Sequence, residues 1–141
     1  MKGKVTWVDD MRFVAESGTG HGIVLDAALE SGGRNTGIRP MEPLLLGVAS
    51  CTAFDVVLIL KRGREPIADC TVEITGDRAE TDPKVFTRMH LVYRVSGAGL
   101  SRAKVERAVT LSKEKYCSAS IMLAQVCEIT HEIVLTDTAA I

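Results

Sequence analysis

Pro43-Leu44-Leu45-Leu46-Gly47-Val48-Ala49-Ser50-Cys51-Thr52-Ala53-Phe54-Asp55-Val56-Val57-Leu58-Ile59-Leu60 is the stretch on which the fold turns. Wound at 3.6 residues per turn it shows hardly a polar face, which is the pattern of a helix buried on nearly all sides. Its ends are marked. Pro40 and Pro43 suit a first turn, Glu42 complements the positive end, and Lys61-Arg62 followed by Gly63 suits the negative end and the stop. The apolar run from Leu44 to Leu60 covers 17 residues and is broken by Asp55, whereas a bilayer span needs about 20. A core helix is therefore expected rather than a membrane span, with a second subunit helping to bury it.

Working outward, Val5, Trp7 and Phe13 alternate with polar residues, Ile23-Val24-Leu25 forms another short apolar run, and Asp9-Asp10 and Ser17-Gly18-Thr19-Gly20 supply turns. An N-terminal antiparallel meander follows, then a loop through Ser31-Gly32-Gly33-Arg34-Asn35. Beyond the helix, Thr71–Thr75 and Met89–Val95 alternate as a hairpin joined through Thr81-Asp82-Pro83-Lys84. Ser101 is a good N-cap, with Leu100 and Val105 as a hydrophobic staple, for an amphipathic helix ending near Tyr116. Cys117 to about Gln125 reads as a shorter helix, and Ile129, His131, Ile133 and Leu135 as a closing strand. The class is α+β, a single domain over residues 1–141 with no repeat, linker or low-complexity segment.

Composition narrows the function. Seventeen Lys and Arg against eighteen Asp and Glu give a net charge of −1, and aromatics are only 4% of the chain. With no charge run to steer a polyanion or membrane surface and little material for base stacking, neither nucleic acid nor a membrane is expected as a partner. The first ten residues lack the apolar core of a secretory signal, so a cytoplasmic location is expected.

In a reducing cytoplasm the four cysteines read as thiols rather than two disulfides. Cys51 sits among small residues in the long helix. Cys117 follows Lys113 and Lys115 and opens the last short helix, where backbone amides favour a thiolate over the ordinary thiol pKa of about 8.5. Two such thiols brought together exchange a sulfenic acid for a disulfide without metal or bound cofactor. Cys70 and Cys127 lie in apolar runs and read as small hydrophobes. Asp55, one turn after Cys51, either lines the cysteine pocket or makes a salt bridge across a subunit contact. The orientation of Glu42, nine residues before Cys51, stays open, and His21 between two glycines reads as solvent-exposed. Dinucleotide, phosphate-loop and zinc-ligand spacings are missing, and no two cysteines have the CxxC spacing. No cofactor or metal is expected.

Arg39-Pro40-Met41-Glu42-Pro43-Leu44-Leu45-Leu46, the small-residue run into Cys51, and Glu114-Lys115-Tyr116-Cys117-Ser118 together resemble the OsmC/Ohr family, and within it the YhfA-like branch. The resemblance covers almost the whole chain. It implies an OsmC-like α+β fold, with antiparallel sheets around a long buried central helix, in an intertwined homodimer. It also implies a thiol peroxidase: Cys51 attacks an organic hydroperoxide, Cys117 resolves the sulfenic acid, and an external dithiol resets the disulfide, with Glu42 a third candidate catalytic residue. Peroxidase members carry a glutamate directly after the proline of this motif and an arginine in an early loop. Here Met41 follows Pro40, Glu42 comes one residue later, and Glu16–Gly22 holds no arginine. The alternative is a dimeric small-molecule-binding or redox-sensing member without catalysis.

Overall fold

The structure is a computed structural model that describes residues 1–140. It divides into two compact units, one of Met1–Leu44 and a larger one from Leu45 onward.

The smaller unit is the meander. β1 (Gly3–Asp9), β2 (Arg12–Ser17) and β3 (Gly22–Leu25) pair antiparallel in the order β1-β2-β3. Asp10 makes the first turn at a φ of 40°, and its carbonyl accepts the Trp7 indole N–H at 2.9 Å. Gly20 serves the second turn at a φ of 86°. After β3 the chain is tied around Asp26. Its carboxylate accepts the backbone N–H groups of Ala27, Arg34 and Thr36 and the Thr36 hydroxyl. These donors, the Thr36 amide first, pull the Asp26 carboxyl down to about 2. Gly33 is required in that loop, because a Cβ there would collide with the Ala27 carbonyl.

The long helix α1 spans Glu42–Arg62. Its start is a reciprocal cap: the Glu42 carboxylate accepts the Arg39 N–H at 2.7 Å while the Glu42 N–H donates to the Arg39 carbonyl. Its end differs from the expected glycine stop. Gly63 continues the turn, and Arg64 takes the left-handed conformation at φ 56°, with Glu65 N–H bonded to Leu60 O and Arg64 N–H to Lys61 O. Burial on nearly all sides is not achieved within one chain. The buried stripe is Val48, Ala49, Thr52, Val56 and Leu60, whereas Leu46 and Phe54 are 52% and 68% exposed.

In the larger unit β4 (Ile67–Arg78) and β5 (Phe86–Gly97) form the expected hairpin, longer than the alternation alone marks. The second sheet has the order β4-β5-β6, with β6 (Glu128–Asp137) parallel to β5. That pairing is not the antiparallel one expected. The chain leaves β5 through helices and returns along the same direction, as a crossover demands and a tight hairpin cannot do. Met89, Leu91, Tyr93 and Val95 of central β5 are all buried and share one face with Val72 and Ile74 of β4 and Ile129 and Ile133 of β6. The crossover contains α2 (Arg102–Leu111), capped by Ser101 as expected, with Val105, Ala108 and Val109 buried. It does not run on to Tyr116 as an α-helix. A π-helical turn occupies Ser112–Tyr116 and α3 spans Ser118–Leu123.

Candidate active site

α1 and the α2–α3 corner deliver the two predicted cysteines to one place. The Sγ atoms of Cys51 and Cys117 and a carboxylate oxygen of Asp55 all lie within 4.8 Å of one another. Cys51 and Asp55 are one helical turn apart, which stacks them on the same side of α1. Both are half-buried, flanking the buried stripe. Cys117 reaches them because the π turn closes with its N–H on the Ser112 carbonyl at 2.8 Å and the backbone then turns extended, at φ −73° and ψ 95°. Such one-residue widenings of a helix are frequent at functional sites. The Cys117 sulfur is wholly buried and caps α3, accepting the Ser120 N–H at 3.4 Å.

Burial decides the state of that thiol. Desolvation pushes the Cys117 pKa up, and the hydrogen bond from the Ser120 amide, which acts the other way, does not overcome it; the neighbouring Cys51 adds to the rise. The expectation of a thiolate stabilised by the helix amides is thereby corrected. One cap hydrogen bond to sulfur is weaker than the cost of a charge at zero exposure. Burial likewise pushes up the Cys70 and Cys127 thiols. All four cysteines are free.

A hydrogen-bond chain leads into the site from the sheet. Tyr93 Oη lies 2.8 Å from Thr52 Oγ1, Thr52 Oγ1 lies 2.8 Å from Ser112 Oγ, and the Ser112 hydroxyl donates to Asp55 Oδ2 at 2.9 Å. Each hydroxyl has one proton. Since that of Ser112 goes to Asp55, Thr52 donates to Ser112 and Tyr93 donates to Thr52, so every donor points toward the carboxylate. Burial raises the Tyr93 phenol to about 12, which keeps it a donor at neutral pH. His131 meets the Tyr93 ring edge-on at a centroid distance of 6.0 Å, and burial lowers its pKa.

Asp55 stands beside the two sulfurs and is bonded to Ser112. Thr52, Ser112, Tyr93 and Ser120 were missed as site residues. A signal for two of them was present: Thr52 lies four residues from both Val48 and Val56, and Ser112 lies three after Val109, so both are polar residues at core positions of a helix. Glu42 opens α1 as the cap described above. Arg12 pairs with Asp9, Arg34 with Asp10, and Arg39 bonds to the carbonyls of Asp26 and Gly37 and the side chain of Asn35. His21 is exposed, as expected.

The family model described as OsmC-like protein matches residues 32–132, which contain both cysteines and Asp55. Protein YhfA of Escherichia coli K12 is 43% identical over 134 residues, covering 93% of this chain and 95% of YhfA. The chain belongs to the OsmC-like family. The crystal structure of an OsmC-like protein from Mycoplasma pneumoniae superposes with a TM-score of 0.81 at 18% identity over 96% of each chain. An organic hydroperoxide resistance protein OsmC from Legionella pneumophila does so with a TM-score of 0.68 at 16% identity over 94% of each chain. The OsmC-like chain shares the fold of both. Its α1 and the α2–α3 corner, which present the sulfurs, lie within the matched span.

Proposed function

We propose that this OsmC-like protein is a two-cysteine thiol peroxidase that reduces organic hydroperoxides. The observation that carries the reading is the approach of Cys51 Sγ and Cys117 Sγ to within 4.8 Å, from positions far apart in the chain. Family membership and the hydroperoxide-resistance role named for the Legionella relative agree with it. Cys51, half-buried, is the sulfur a peroxide can reach, and buried Cys117 is the one that waits. The Cys51 sulfur attacks the outer oxygen, the O–O bond breaks, an alcohol leaves, and Cys51 holds a sulfenic acid. Cys117 then displaces water to form the disulfide, which requires the sulfurs to close to roughly 2 Å. An external dithiol supplies the two electrons that reset the pair.

The protein works as a cytoplasmic homodimer in this reading. Exposed Leu46 and Phe54 on α1, and exposed Val5 and Trp7 on the meander, are apolar surfaces suited to a second copy. The test is consumption of tert-butyl hydroperoxide with a dithiol reductant. Cys51→Ser should abolish it, and Cys117→Ser should stop after one sulfenic acid per chain, trapped by a dione reagent. Unchanged consumption in both variants would refute the proposal, and a single turnover in the unmodified protein would mark a sensor instead.

A further inference from the structure

We propose that the reduced site also binds one soft divalent cation of the zinc and cadmium class through Cys51 Sγ, Cys117 Sγ and an Asp55 carboxylate oxygen. This lies outside the peroxidase reading and does not depend on it, although the two activities compete for the same sulfurs.

The donor set points to this class. Two thiolates select zinc or cadmium over magnesium or calcium, and a single carboxylate completes a three-ligand face of the kind that leaves a fourth position open. Ligand atoms of a tetrahedral zinc site, at about 2.3 Å for sulfur and about 2 Å for oxygen, lie roughly 3.5 to 3.8 Å from one another. The three atoms here already lie within 4.8 Å, at most about 1 Å beyond that spacing.

The surroundings are organised in the same sense. A metal-binding carboxylate is commonly held by an outer hydrogen bond that fixes its orientation. Here Ser112 donates to Asp55 Oδ2 at 2.9 Å and is itself held by buried Thr52, leaving Asp55 Oδ1 for a cation. An independent sign lies on the sulfur side. Ser120 Oγ is buried without a hydrogen-bond partner among the described residues, on the same residue whose backbone N–H donates to Cys117 Sγ at 3.4 Å. A donor without an acceptor is costly in a protein interior. A ligand or ion arriving beside Cys117 is one way to supply the charge that this buried donor lacks. Binding releases the two thiol protons, involves no electron transfer, and removes both sulfurs from disulfide formation.

The test is an anaerobic titration of fully reduced, metal-free protein with Cd2+, followed by the ultraviolet thiolate-to-cadmium absorption and by alkylation with peptide mapping. One cation per chain should bind, shielding Cys51 and Cys117 from alkylation while leaving Cys70 and Cys127 as reactive as without metal. Asp55→Asn should weaken binding at least tenfold, as outer partners alone account for ten- to a hundredfold in metal sites. Absence of the absorption, its persistence in Cys51→Ser, or equal shielding of all four thiols would overturn the proposal. The mapping uses the unmodified chain, so it stands even if a variant does not fold. Cadmium binding with no hydroperoxide consumption by the metal-free protein would sink only the peroxidase reading; consumption without binding would sink only this one.

Discussion

Thr52→Val replaces a hydroxyl by a methyl of nearly the same shape at a position 1% exposed, so it tests whether the buried hydroxyl chain contributes to stability. On area alone the change is favourable, by somewhat less than the roughly 0.8 kcal/mol of a buried methylene. Against this, two hydrogen bonds of 2.8 Å vanish. Tyr93, 3% exposed, is left with an O–H that has no acceptor, an orphan worth about 1 to 3 kcal/mol, and the lost Ser112 contact costs about 1 more. The net expectation is a destabilisation of about 2 kcal/mol. Tyr93→Phe alone, which empties only an acceptor position, should cost about 1 kcal/mol. In the double variant the orphaned phenol is gone, so the combined loss should fall about 1 kcal/mol short of the sum. Urea unfolding at fixed protein concentration with reductant present measures all four corners. A neutral Thr52→Val, or strictly additive single changes, would refute the directional chain from Tyr93 to Asp55.

Other outcomes follow from particular residues. Arg64→Gly removes a side chain from a left-handed position and should raise stability by about 1 kcal/mol, read from the same urea curves. Gly97→Ala drives a Cβ into the Pro66 carbonyl and the Leu100 side chain and should cost about 3 kcal/mol or prevent accumulation of folded protein, visible as a lowered Tm. Asp26 has a folded pKa of about 2 against an ordinary value of 3.8. A depressed folded pKa means its contribution is complete above about pH 4 and is lost as the pH falls toward 2. Acid unfolding of Asp26→Asn should therefore be flatter across that window than that of the unmodified protein.

Much of this architecture was legible because local chemistry agrees with the fold. Capping at Ser101, the turn residues Asp10 and Gly20, and the alternation of Met89 to Val95 each act within a few residues, and the structure has them where the pattern put them. What stayed hidden depends on distant partners. The parallel direction of β6 cannot be read from its alternation, since period two is the same in either direction. The π turn arises where α2 hands over to Cys117, and no residue type marks it. At the site, the two cysteines were visible through their neighbours. The rise of the Cys117 pKa was not, because burial at a helix cap is a property of packing and not of the cap.

The central claim is that Cys51 and Cys117 are chemical partners. Reduced protein should be treated with one equivalent of tert-butyl hydroperoxide, its remaining thiols blocked, and its peptides mapped by mass spectrometry. A Cys51–Cys117 disulfide with Cys70 and Cys127 blocked is the predicted result. Recovery of both Cys51 and Cys117 as blocked thiols, or a disulfide joining other cysteines, would contradict it.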